Sequence, residues 1–400
     1  FFKLFNGVRR IYIARTWRKL TSKVRSRSAL ANRLEKAENK LLKKAVKAKI
    51  KADKKGLEIS PADDIYAYVP EAERPRHRKG GLFSEKIDTI DFCLEKIPEL
   101  DSDIKAFQKK YKTAKPKSSV FVEFENQYYA QIAYQTTIHH NPLRASPKFT
   151  GLAPGDIVWG NLRIFWWEKY VRASIAYLAI IAITIFWAVP VAFVGSISNL
   201  TYLTNIKAFH WLRFVFNMPK QLLGIITALL PTAMLQVLTY YLPIIIRGLA
   251  KVAGCPSVQE IELFTQKSYF GFLFVNSFMV VAIASSATST VTRIVNSPLD
   301  ALSILANGLP KSSNFFISYL ILQGLAITGG QLAQIVTLFL YFILGRLMDS
   351  TARKKWLRFS GLGTVAWGTT FPIYSNLVCI TLAYSIISPL ILVFALPSFF

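Results

Sequence analysis

Between Ser312 and Gly345 the chain runs for 34 residues without a charge, yet the stretch holds Gln323, Gln331, Gln334 and a Gly329-Gly330 pair. At ~100° per residue, Tyr319, Gln323, Gly330, Gln334 and Tyr341 fall on one side of a helix. Amide and phenol dipoles on an otherwise apolar helix can replace part of an ion's hydration without trapping it. They can equally act as glue between helices, with glycine allowing close approach. Other uncharged windows add the amides of Gln236, which follows Leu235, and Asn276. A membrane helix with a polar stripe must give it something other than lipid to face. The two readings, packing seam and wall of a water-filled path, stay open at this level.

Other chemistries find little support. The uncharged windows hold no Asp or Glu, so no proton relay or fixed-charge ion site can be read there. No Gly-rich phosphate loop, zinc-protease HExxH or nucleophile elbow occurs. His139-His140 lack further ligands at metal-site spacing. Cys93, Cys255 and Cys379 are too scattered for a disulfide or metal framework. No enzyme, cofactor or resident metal is expected.

The elements that must position these amides follow from charge. Of the 49 Lys and Arg and 23 Asp and Glu, 35 and 19 fall within residues 1–170. A basic soluble domain, 1–165, and a membrane domain, 166–400, are therefore expected. The uncharged windows predict spans at about 173–197, 221–246, 268–292, 312–345 and 371–398. The flanks predicted to lie on the soluble domain's side are richer in Lys and Arg, which places that domain in the cytosol. Trp166-Trp167 between Arg163 and Lys169 suit the head-group level. With no initiator Met and an end inside an apolar run, the chain reads as an internal part of a longer protein.

The soluble part predicts a strand at Gly7–Ala14, a long basic helical arm at 28–55 and a loop at 56–84. A helix at about 84–110, a strand at 118–124 and a helix from Gln127 follow, which suggests an α+β sandwich. The lysine-rich arm could lie near anionic head groups or stand solvated. VFVEFENQYYAQIA is similar to a strand and helix of an RNA-recognition motif. It lacks the aromatic run that stacks bases, so nucleic acid is not expected as a partner.

Several segments together carry a family resemblance: FVEFENQYYAQIAYQ (121–135), APGDIVWGNL (153–162), ALLP (228–231), SYFGFLFVNSF (268–278) and YSIISPLIL (384–392). In order and spacing they resemble the hyperosmolality-gated calcium-permeable channels, also called calcium-permeable stress-gated cation channels. The resemblance implies a polytopic α-helical membrane protein with an anoctamin-like helix arrangement and an RRM-like cytosolic domain that binds no RNA. It implies a mechanosensitive or osmotically gated, non-selective channel passing Ca²⁺, K⁺ and Na⁺. The 312–345 helix would bend at glycine, a role that falls on Gly329 or Gly330, with Gly324 a weaker candidate. Tyr319, Gln323, Gln334, Tyr341, Gln236 and Asn276 would line the path, with Glu260 and Glu262 at its cytosolic mouth. The resemblance implies membrane lipids as partners, the plasma membrane or an internal one such as the vacuole as location, and either a homodimer or a monomer. Phospholipid scrambling along the same groove, and a non-transport membrane scaffold, are the alternatives.

Overall fold

Arg18–Lys54 forms one 37-residue helix because Ala, Lys, Leu and Arg, all good helix formers, fill it without Gly or Pro. The arm expected at 28–55 thus starts ten residues earlier, where Ser and Thr in the sequence weaken the helical signal without stopping the helix. The computed structural model describes residues 6–15, 18–55, 69–78, 85–141, 147–191, 220–284, 309–361 and 363–399. In chain order the elements are β1 (Val8–Arg15), α1 (Arg18–Lys54), β2 (Arg76–Arg78), β3 (Lys86–Asp88), α2 (Thr89–Lys109), β4 (Pro116–Phe124) and α3 (Gln127–Gln135). There follow α4 (Trp166–Phe186), α5 (Lys220–Ala253), α6 (Val258–Leu273), a π-helical turn (Phe274–Met279) and α7 (Val280–Ala284). The last are α8 (Ser313–Ala333), α9 (Ile335–Met348), α10 (Ala352–Ser360), α11 (Trp367–Ile387) and α12 (Ile391–Phe399).

These elements divide into two compact units, one of residues 10–122 with 334–363, the other of residues 1–9, 123–333 and 364–400. In the first, α1 lies along α2, and Ala37, Leu41 and Ala45 form a small core with Val69 and Ile90. Arg27 forks onto Asp101, and Lys23 meets Asp103, at the same seam. The guanidinium holds the Asp101 carboxyl below its ordinary range. Exposure limits what such surface pairs contribute. β1 pairs with β4, and β2 pairs antiparallel with β3, His77 opposite Ile87. The segment expected as a loop over 56–84 therefore contains a strand at Arg76–Arg78, held by its pairing rather than by any alternation of its own. Residues 56–68 of it lie outside the described residues.

The turn after α9 belongs to this unit and is tied down at both sides. Asp349, buried, takes Nε and Nη2 of Arg358 at 2.5 and 3.1 Å, which holds its carboxyl well below the usual range. Thr351 caps α10 by accepting from Lys354 N at 3.3 Å. On the other side α1 reaches it: Asn39 Nδ2 donates to Ser350 O, and Glu35 pairs with Arg353 at 3.5 Å.

In the second unit two apolar cores share the helices. One joins Ala176 and Ile180 of α4, Leu242 and Ile246 of α5, and Ile261, Tyr269 and Phe272 of α6. The other joins Phe278 of the π-turn, Phe316 and Leu320 of α8, Leu377 and Tyr384 of α11, and Ile391 of α12. Among the described residues, α4 and α11 are long and apolar enough to cross a membrane.

Several boundaries differ from expectation. The span expected at 173–197 starts at Trp166, so the tryptophan pair forms its first turn, and its helix ends at Phe186. α5 runs on to Ala253, past the expected end at 246. The helix that carries the span expected at 268–292 begins earlier, at Val258, because a Ser257 cap starts it before the charges end. Residues 285–292 lie outside the described residues. The stretch 371–398, long enough for one span or for two short helices in a hairpin, divides into α11 and α12, since Ser388 leaves the helical region just before Pro389, whose ring disfavours a helical residue ahead of it.

Candidate functional site

The uncharged stretch 312–345 is two helices. α8 ends at Ala333 and α9 starts at Ile335. The break is Gln334, with φ 45° and ψ 30°, the one non-glycine residue at positive φ among those described. A side chain in that left-handed region costs about 1–2 kcal/mol. Gly329 and Gly330, expected as the joint, continue α8 instead, and a methyl at either would touch no described atom within 4 Å. Glycine permits a bend but does not impose one. The division between the two compact units falls at this same residue.

The break also splits the expected stripe. Tyr319 and Gln323 remain together on α8, both half-buried. Tyr319 stacks on Phe315 with ring centroids 6.1 Å apart, and its hydroxyl meets Ser277. Gln334 and Tyr341 are exposed and lie at and past the break, outside α8. Gln236 lies in α5, and its side chain is outside the described residues. Gly324 is a contact rather than a joint: a methyl there would meet Ser398 Oγ at 2.5 Å and Cβ at 2.6 Å, so α8 and α12 approach closely through it.

Asn276 sits in the π-turn, which the sequence did not reveal. Bonding five residues back leaves one carbonyl without its usual donor. Asn276 Nδ2 lies 3.4 Å from Phe272 O and 3.3 Å from Thr184 O, so the amide supplies that donor and ties α6 to α4. Nearby, Ser312 Oγ and the Tyr384 hydroxyl are 2.7 Å apart, and Tyr384 also donates to Leu309 O at 2.9 Å. Sequence reasoning overlooked Tyr384 and Asn376, both fully buried on α11. Asn376 and Tyr384 stand eight residues apart with the apolar Ile380 between them, so no polar repeat in the sequence marked that face.

Glu260 and Glu262 take different roles. Glu260 N donates to Ser257 Oγ at 3.2 Å, so this residue sits in the helix cap. Glu262 is clamped: Arg247 Nε and Nη2 reach its carboxylate at 2.6 and 3.1 Å, and Gly368 N donates to it at 3.0 Å. One carboxylate thus joins α5, α6 and the start of α11. The fork on α5 holds its carboxyl below the ordinary range against the opposing effect of burial. A depressed carboxyl stabilises the fold above its unfolded pKa, near 4.3, and that contribution is lost as pH falls through the lower folded value. Thermal melting of the detergent-solubilised protein is expected to drop on acidification below about pH 4.5. Glu262→Gln should melt lower at neutral pH and show a smaller drop on acidification. An undiminished drop in that variant would rule out Glu262 as a source.

Just before α4 the segment 153–162 grips the turn between α5 and α6. Ile157 bridges Ser257, Val158 N donates to Pro256 O at 2.9 Å, and Asn161 Nδ2 donates to Lys251 O and Cys255 O at 2.9 and 2.8 Å. These last bonds satisfy carbonyls freed at a helix C-terminus.

Residues 172–400 match the family described as "Calcium-dependent channel, 7TM region, putative phosphate". The chain belongs to this family. Residues 1–161 match the accompanying "Cytosolic domain of 10TM putative phosphate transporter". "Uncharacterized protein RSN1" of Saccharomyces cerevisiae is 50% identical over 100% of this chain and 42% of its own length. "Calcium permeable stress-gated cation channel 1" of Schizosaccharomyces pombe is 30% identical over 79% and 39%. "Hyperosmolality-gated Ca2+ permeable channel 3.1" of Arabidopsis thaliana is 27% identical over 82% and 45%. The chain thus spans less than half the length of these relatives. The family is the one that the motifs resembled: channel- or transporter-like multi-pass membrane proteins with a cytosolic domain.

Proposed function

We propose that the chain builds part of a non-selective, calcium-permeable cation conduit opened by membrane tension or osmotic stress. The observation that carries this is the break at Gln334. An uncharged helix that abandons its hydrogen-bond ladder at an amide, in a strained conformation, has a joint with two accessible arrangements. Relatives bearing calcium-channel names over most of this chain support the conduit. The joint of the proposal is Gln334, four residues past Gly330. Tyr319, Gln323 and Asn276 belong to the wall on the α8 side, with Gln236 on α5. Gln334 and Tyr341 belong to the wall from the break onward.

Residues 1–165 form the cytosolic domain of this proposal and 166–400 its membrane domain. The order β1-α1-β2-β3-α2-β4, with β1 beside β4 and β2 beside β3, supports an RRM-like domain. The arrangement of the spans is taken as anoctamin-like, the membrane as the plasma membrane and the assembly as a homodimer. Ca²⁺, K⁺ and Na⁺ are the permeating ions.

The test is patch recording of the full-length protein in liposomes under graded suction. Cation current that rises with tension is the expected result, and silence across the tolerated range overturns the reading. Dithionite quenching of labelled lipids in the same vesicles separates ion passage from lipid scrambling. Gly329→Ala and Gly330→Ala should each leave the tension threshold in place or shift it slightly, because a methyl at either meets none of the described residues. A large shift from either would return the joint to the glycine pair.

A further inference from the structure

The side of α1 that reaches the turn after α9 does not end there. Glu35 and Asn39, which meet Arg353 and Ser350, stand one helical turn apart. At three- and four-residue steps the same ridge continues through Leu42, Val46 and Ile50. These three are exposed, Val46 at 55%, whereas Ala37, Leu41 and Ala45 on the opposite side form the core with Val69 and Ile90. A row of exposed aliphatic side chains marks a surface that meets something apolar.

Beside it runs a second ridge. Lys36, Lys40, Lys43, Lys47, Lys51 and Lys54, again at steps of three and four, are all exposed. They cover ~27 Å of helix at ~1.5 Å per residue. The ion pairs that α1 makes through its other basic residues, Lys23 with Asp103, Arg27 with Asp101 and Lys44 with Glu73, lie off this ridge.

What lies beside α1 follows from α9, which belongs to the same compact unit. Leu338, Phe339, Leu340 and Tyr341 are consecutive and all exposed, so α9 shows apolar side chains around its whole circumference. A helix of that kind is at home in lipid. Its charges begin at Arg346, and α10 adds Arg353, Lys354, Lys355 and Arg358, which sets the turn between them at the head-group level of the cytosolic leaflet. Trp356, one turn from Arg353 and 63% exposed, suits the same level.

The aliphatic ridge of α1 is therefore at the membrane surface where it meets Ser350 and Arg353. From there it continues with lysines along one flank. That is the pattern of a helix lying in the interface, its aliphatic groups against the acyl chains and its ammonium groups snorkelling to phosphates. A row of lysines beside the bilayer favours anionic lipids over neutral ones. A nucleic acid or an acidic protein would engage the lysines and leave the aliphatic ridge without a partner.

We propose that the exposed side of α1 from Lys36 to Lys54 docks on the cytosolic leaflet, with Leu42, Val46 and Ile50 against lipid and the lysine ridge on anionic phospholipid head groups. The docking requires the membrane domain but not the conduit.

The test is collisional quenching in full-length protein reconstituted in liposomes, in a background lacking other reactive cysteines. Val46→Cys carries a bimane label and is compared with Glu95→Cys, an exposed position on α2 turned away from the buried Cys93. The quencher is phosphatidylcholine bearing a nitroxide at carbon 5 of an acyl chain, near the head group. Vesicles are made of phosphatidylcholine alone or with phosphatidylserine. In the anionic vesicles the label at 46 is expected to be quenched at least threefold more strongly than that at 95. Neutral vesicles, or the triple variant Lys43→Glu, Lys47→Glu, Lys51→Glu, should remove most of that difference. Equal, weak quenching at the two positions would place the ridge in water and overturn the docking. Strong quenching at 46 that is the same in neutral vesicles would show apolar seating alone and overturn the choice of anionic head groups. Ile50→Cys replaces Val46→Cys if the latter fails to fold. No ion current enters the measurement, so the docking and the conduit reading stand or fall separately.

Discussion

Gly368→Ala is expected to destabilise the helical bundle by roughly 3 kcal/mol, the upper range for forcing extra volume into a packed interior. A methyl there would lie 2.5 Å from Glu262 Oε2, 2.7 Å from Glu262 O and 3.2 Å from Glu262 Cα. Two of these three atoms are backbone of α6 and cannot swing aside. The third can move only by giving up the fork with Arg247 and the bond from Gly368 N. Relief therefore requires α6 and α11 to part, which would disturb both apolar cores. The check is a thermal melt of the full-length protein in detergent beside Gly329→Ala, which meets none of the described residues and gains up to about 1 kcal/mol of helix propensity. A Gly368→Ala melt equal to wild type would mean that the approach of α11 to Glu262 is not tight.

The second large effect lies at Gln334. If its left-handed conformation belongs to one end state of gating, Gln334→Gly removes about 1 kcal/mol of strain from that state. Gln334→Val adds strain, because a β-branched side chain tolerates positive φ least. The two variants should move the tension threshold in opposite directions, each by the equivalent of several-fold in open probability, since 1.4 kcal/mol is tenfold. Recording both in the same vesicles checks this. Shifts in one direction, or none, would show that the break is present in both end states and does not gate.

Reading from residues alone reached far in some places and stopped short in others. Charge partition separated a basic cytosolic part from a membrane part, because a lysine cannot be left in hydrocarbon without cost, whatever the fold. The helical periodicity of the arm and the alternation of Val120 to Phe124 were legible, since both are local properties of the chain. The amides of the 312–345 stretch were read as one helical face, but Gln334 ends the first of two helices there. A wheel at 100° per residue assumes an unbroken helix, and Gln334 breaks it without any residue type that announces a break.

The same limit explains the glutamates. Glu260 and Glu262 stand two apart, and nothing in that spacing says that one joins a helix cap while the other is locked by an arginine fifteen residues earlier and an amide over a hundred residues later. Nor could Gly368 be distinguished from Gly329. Both are glycines in apolar helices, but one has a carboxylate and a carbonyl against it and the other has open space. Composition, charge and order along the chain determined that this protein is a membrane protein with a cytosolic domain, and its motifs pointed to the family. The tertiary structure decided which amide breaks the helix, which glycine is a contact and which carboxylate is committed. Each of these depends on a neighbour distant in sequence, and on a backbone angle that packing imposes against local preference.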